Sequence, residues 1–155
     1  MPPPRALTSS FNRVPVNRLL KLRLVSRTPR AVVISMPVRR AVLQETGIVH
    51  GAVVAALADT AAVYLVLPDL PEDRTIASIE FKLNNLRPGR PGAGDLVARA
   101  RPVQLGSRVA VCEVDVMQQR RLIARALFTY LIFSKPKPAM TTKPGRSPKR
   151  RRRAS

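Results

Sequence analysis

The chain has 155 residues, enough for one domain with a substantial core and too few for two comfortable ones. Hydrophobic residues make up 45%, but aromatics only 4% with no Trp, so the core must be built from Val, Leu, Ile and Ala. The net charge of +19 sits at the two ends: residues 1–40 hold nine Lys or Arg and residues 135–155 another nine, neither with an acid, whereas 41–134 set ten bases against nine acids, a nearly neutral body unlike a nucleic-acid-binding domain.

Residues 1–10 open on three prolines and are expected to be loose. Arg5, Arg13 and Arg18 lack the following apolar core of a secretory signal. The Arg-rich, acid-free start has the composition of a transit peptide, but Phe11–Leu24 has a structural pattern: Leu19, Leu20, Leu22 and Leu24 among Arg18, Lys21 and Arg23. That pattern predicts a short helix running into a strand, with Pro15 near the helix start where proline is tolerated. Ala31–Val38, with Val32, Val33 and Ile34, predicts a second strand.

After the break at Thr46-Gly47 comes Gly51–Leu67, apolar nearly all round, with Val53, Val54, Leu57, Val63, Leu65 and Val66 spaced by alanines. Ala and Leu favour helix, and a helix apolar on every side is expected to be buried on every side; Pro68 ends it. The run is short for a comfortable membrane span and contains Asp59. Four strand-like runs follow: Thr75–Leu86, Asp95–Leu105, Val109–Met117 and Leu122–Phe133. In the first, Ala77, Ile79, Phe81 and Leu83 alternate with Ser78, Glu80 and Lys82. Period-2 runs joined by short turns predict an antiparallel sheet. The expected architecture is α+β, a curved antiparallel sheet of about five to six strands wrapped around one long central helix. Residues 11–133 form that domain. Residues 134–155, with four prolines and a terminal run of basic residues, cannot bury enough surface to fold and are expected to be a disordered basic tail.

Asp59 is the anomaly, since burying an unpaired carboxylate costs several kcal/mol. It either pairs inside an interface or does chemistry. His50 and Gly51 stand at the predicted helix start, where free N–H groups and the helix dipole favour an oxygen gaining negative charge. Gly51 lets a substrate approach its N–H closely. An oxyanion donor and a carboxylate on one element are the minimal kit for acyl transfer to water. The single Cys112 excludes an intrachain disulfide, and with one His it cannot supply a typical zinc set; no metal or cofactor is expected.

The stretch Gln44-Glu45-Thr46-Gly47-Ile48-Val49-His50-Gly51-Ala52, followed by Leu57-Ala58-Asp59-Thr60-Ala61, resembles the hotdog-fold acyl-CoA thioesterases, and within them the PaaI-like branch of phenylacetate-pathway and related enzymes. Gln44, Gly47, His50, Gly51 and Asp59 keep the family spacing. Ala52 departs from it, since the family usually has a second Gly there. Asn84-Asn85-Leu86-Arg87-Pro88, Leu105-Gly106-Ser107-Arg108 and Leu122-Ile123-Ala124 extend the resemblance over residues 11–133.

The resemblance implies that Gly51 N–H polarises a thioester carbonyl, that Asp59 is nucleophile or general base, that Gln44 positions substrate or water, and that His50 shapes the helix start. Asn85, Arg87, Gly106, Ser107 and Arg108 become candidates for contact with CoA, which is part of the substrate; Arg90 is a weaker one. Where relatives add a hydroxyl one turn after the carboxylate, this chain has Val63. The resemblance also implies a homodimer, possibly a dimer of dimers, with active sites between subunits, acting in the cytoplasm. Two alternatives stand beside hydrolysis. One is a hotdog-fold hydratase or dehydratase. The other is a non-catalytic acyl-CoA binder whose basic tail contacts anionic partners, nucleic acid among them.

Overall fold

A computed structural model describes residues 1–136; the tail expected over 134–155 lies almost wholly outside the described residues. The elements run α1 (Arg5–Arg13), α2 (Pro15–Leu19), β1 (Arg23–Thr28), β2 (Ala31–Met36), α3 (Gly51–Val66), β3 (Arg74–Asn85), β4 (Leu96–Leu105), β5 (Val109–Gln118) and β6 (Arg121–Ser134). The six strands form one antiparallel sheet in the order β1-β2-β4-β5-β6-β3. The expected α+β architecture, a curled sheet around a single long helix, is what forms.

The core is the interface between α3 and the concave face of the sheet. Val54, Leu57, Ala58, Ala61, Ala62 and Leu65 of α3 are buried against Val32 and Ile34 of β2, Leu96 and Ala98 of β4, and Cys112, Val114 and Val116 of β5. Alanines on both layers (Ala58, Ala61, Ala98, Ala100) let helix and sheet approach closely. The helix lies mainly over β2, β4 and β5. Its C-terminal end is fixed by Arg27, whose Nε donates to the Tyr64 carbonyl at 3.0 Å while its guanidinium pairs with Asp69; a cation suits that end of the helix dipole.

Three expectations change. Residues 1–10 are not loose throughout: α1 begins at Arg5, because Phe11 is fully buried edge-on against Tyr64 and holds the helix to the domain. The central helix is not buried on every side, because it is offset from β6 and β3: Ala55, Ala56, Asp59, Thr60 and Val63 are half-buried and Ala52 is exposed, an open stripe at helical spacing. The simple alternation of β3 also fails. A bulge between Ser78 and Glu80 inserts one residue opposite β6, so Ser78 lies opposite Tyr130 while Phe81 lies opposite Phe128. The inner row of β3 is therefore Ile76, Ser78, Phe81, Leu83 and Asn85. α3 with its following turn, Gly51–Asp69, is long and apolar enough to cross a membrane; here it serves as the core helix.

Candidate active site

The loop before α3 is tied down by its own backbone. Gln44 N–H donates to the Ile48 carbonyl, Gly47 N–H returns to the Gln44 carbonyl, and His50 N–H reaches the Val42 carbonyl. Gly47 has φ +77°, a left-handed turn position suited to glycine. His50 is the N-cap, its Nδ1 accepting the Ala52 N–H at 3.1 Å. That occupies the Ala52 donor and one nitrogen of the only histidine, and leaves the Gly51 N–H without a hydrogen bond among the described residues. An unpaired donor at a helix N-terminus is a polarising group for a carbonyl oxygen.

Gly51 opens into a cleft of about 400 Å³ with Gln44, Val54, Asn85, Arg87 and Ile123 among its lining residues. Asn85 is close enough that a Cβ on Gly51 would sit 3.3 Å from its Nδ2. Gln44 is held by a hydrogen bond from its Nε2 to Thr46 Oγ1. Leu86 N–H and Arg87 N–H both reach the Ile123 carbonyl, and Arg87 Nη1 reaches the Leu122 carbonyl at 3.1 Å, so the Arg87 guanidinium is anchored at the rim. Gly89 is buried at the base, its carbonyl accepting the Val49 N–H.

Asp59 stands eight residues along α3 from Gly51, about 12 Å at 1.5 Å per residue. It does not line this cleft. Its carboxylate is half-buried on the open stripe, and Oδ1 accepts a hydrogen bond from the Tyr130 hydroxyl at 2.8 Å. Burial, and next the neighbouring Asp59 charge, push the Tyr130 phenol well above its ordinary value. Tyr130 is flanked by Phe128, itself stacked on Phe81 at 5.2 Å. The sequence pointed to none of these three aromatics, since Tyr130 reads as one more apolar position of an alternating strand. Only its parity with Phe128 and Ile132 would have placed its hydroxyl on the helix side.

The structure thus brings Gln44, Gly51, Asn85 and Arg87 together and places Asp59 two turns up the same helix. His50 caps and does not enter the cleft. Arg90 is exposed, its backbone N–H and carbonyl tied to Gln118. Gly106, Ser107 and Arg108 are at the other end of the sheet: the Ser107 carbonyl accepts from Arg74 Nη2 and the Arg108 carbonyl from Ile132 N–H, whereas Asn85 pairs with Ala124. β3 separates the two ends by roughly 37 Å at 3.4 Å per residue.

A family model described as the thioesterase superfamily matches residues 46–124, half of the chain, and spans the end of the loop, α3, β3, β4, β5 and the start of β6. The chain belongs to the thioesterase superfamily. A curated Haemophilus influenzae protein named "Putative esterase" is 35% identical over 82 residues, 53% of this chain and 58% of that protein. The solved structure of a thioesterase from Haemophilus influenzae superposes with a TM-score of 0.76 at 26% identity, over 83% of this chain and 88% of that one. A phenylacetic acid degradation-related protein from Ralstonia eutropha gives 0.71 at 25% identity, over 76% and 90%. The chain spans about half to three-fifths of the length of the curated relatives it matches. As a thioesterase-superfamily domain it has the hotdog fold, and the resemblance read from Gln44 to Asp59 falls on the loop and helix that build the cleft.

Proposed function

We propose that this protein hydrolyses an acyl-CoA thioester to the free acid and CoA. The observation that carries the reading is the unpaired Gly51 N–H at the N-terminus of α3, opening into a cleft, with the Asp59 carboxylate on the open stripe of the same helix. The Gly51 N–H and the helix dipole stabilise the oxyanion that forms when the carbonyl carbon is attacked. Gln44 and Asn85 orient the thioester, and Arg87 meets a phosphate of CoA. Because Asp59 lies about 12 Å along α3 from the Gly51 N–H and outside its cleft, the oxygen that activates water or bonds the carbon comes from Asp59 of a second copy.

The working unit in this reading is a homodimer. β3 is a 12-residue edge strand with one side unpaired among the described residues. It contains no proline, and Ile79 and Phe81 are more than half exposed, unlike a protected edge. Antiparallel pairing of β3 with a second copy covers this edge and the half-open stripe of α3. It also brings the partner's Gly106–Arg108 turn to the Asn85 end of β3, across the roughly 37 Å that separates them in one chain. Asp59 is then closed into a site shared by two chains. Assembly of such dimers in pairs, and action in the cytoplasm, are further parts of the proposal.

His50 gives little support to the hydratase alternative, because its Nδ1 is spent on the helix cap. The test is release of free CoA thiol from a panel of short, medium, long and aryl acyl-CoAs, the aryl arm suggested by the Ralstonia relative. Turnover of at least one supports the reading. Hydration of a 2-enoyl-CoA with no thiol release moves the protein to the hydratases, and binding with neither makes it an acyl-CoA binder.

A further inference from the structure

Tyr130 has a hydroxyl where packing asks for none. Its ring lies in the inner row of β6 between Phe128 and Ile132, only 1% exposed and nearly parallel to Phe128. A phenylalanine would fill the same space. Burying a hydroxyl is unfavourable unless it is hydrogen-bonded, and here its short bond is to Asp59 Oδ1 at 2.8 Å, with the Asp59 carbonyl at 3.4 Å. Asp59 Oδ2 makes no hydrogen bond among the described residues.

We propose that Tyr130 is the positioning residue of the reaction: it holds Asp59 by Oδ1 and leaves Oδ2 as the oxygen that reacts. This rests on the hydrolase reading above. In the general-base course, Oδ2 takes a proton from water as the water oxygen bonds to the thioester carbon. The C–S bond then breaks, and the departing thiolate takes that proton, giving acid and thiol. In the nucleophilic course, Oδ2 bonds to the carbon, thiolate leaves, and water cleaves the resulting anhydride. Either course needs a carboxylate fixed in rotation and one oxygen kept free. A buried, neutral phenol does both, because it donates steadily to Oδ1 and stays outside the proton traffic.

The test compares Tyr130→Phe, Asp59→Asn and the double variant on an acyl-CoA that the wild type turns over. Loss of positioning is expected to lower kcat about 10- to 100-fold with KM nearly unchanged. In the Asp59→Asn background Tyr130→Phe then has no further effect. A structural role alone would lower the melting temperature and leave kcat intact, and that result overturns the proposal. Should Tyr130→Phe fail to fold, ring-fluorinated tyrosine in the otherwise wild-type chain reports the contact directly: the chain's two tyrosines give two 19F resonances. One is expected to move in Asp59→Asn, and no movement overturns the proposal. If wild type hydrolyses no acyl-CoA, the hydrolase reading fails and takes this proposal with it. If Asp59→Asn abolishes turnover and Tyr130→Phe does not reduce it, only the role of Tyr130 fails.

Discussion

Replacing Gly51 by alanine separates catalysis from folding. The added Cβ stands 3.3 Å from Asn85 Nδ2, at the cleft where the proposed reaction brings a thioester carbonyl to the Gly51 N–H. The stability cost is small. Asn85 is exposed, so its amide can swing away, and Gly→Ala in a helical conformation returns about 0.4–1 kcal/mol through the unfolded chain. The melting temperature is therefore expected to move by less than about 5 °C. The cost to activity is large, because the methyl holds the carbonyl off its donor by something on the order of 1 Å, a misplacement worth about 10²-fold in rate. Thiol release measured beside a thermal melt checks both halves. Wild-type kcat/KM in a folded Gly51→Ala variant would refute the assignment of this N–H as the oxyanion donor.

Other outcomes follow from the packing. Gly89→Ala forces a Cβ to 3.1 Å from Val49 Cγ2 and 3.3 Å from Leu96 Cδ2; such overpacking is expected to cost about 1–3 kcal/mol in denaturant unfolding. Leu57→Ala, at a fully buried position of α3, is expected to cost about 2–5 kcal/mol in the same assay. Burial pushes the Cys112 thiol up to about 11. Above the ordinary thiol value of about 8.5 the unfolded chain loses this proton and the folded chain does not, so stability falls as pH rises from there toward 11, by at most about 1.4 kcal/mol per pH unit; Cys112→Ala should remove that slope. Ile79→Lys, at a 58% exposed position of the β3 edge, is expected to convert the proposed dimer to monomer in sedimentation and to reduce turnover.

The architecture was legible because it depends on period and punctuation. The Ala- and Val-rich run from Gly51 and the alternating runs after Pro68 fix one helix and four of the strands to within a residue or two. Of the candidate site, the local structure was legible where its residues are consecutive: Gln44 to Gly51 is one hydrogen-bonded loop feeding one helix start. What required the fold is long-range. The bulge at Ile79 changes which residues of β3 face inward, and an alternating string shows no trace of it, since either parity offers apolar residues. The offset of α3 toward β2, β4 and β5 leaves Asp59 half-open, although its sequence neighbours are as apolar as those of a fully buried helix. Tyr130 is 71 residues from Asp59 and is placed beside it only by the pairing of β6. The turn Gly106–Arg108, grouped with Arg87 by family likeness, lies at the far end of the sheet, because β-strand connections alternate ends.

The most direct measurement is CoA thiol release by wild type and Asp59→Asn on the acyl-CoA turned over best. If Asp59 is the base or nucleophile proposed, its replacement is expected to lower kcat about 10²–10⁴-fold in a protein that melts as the wild type does. Equal turnover by the two would contradict the central claim that Asp59 carries the reaction.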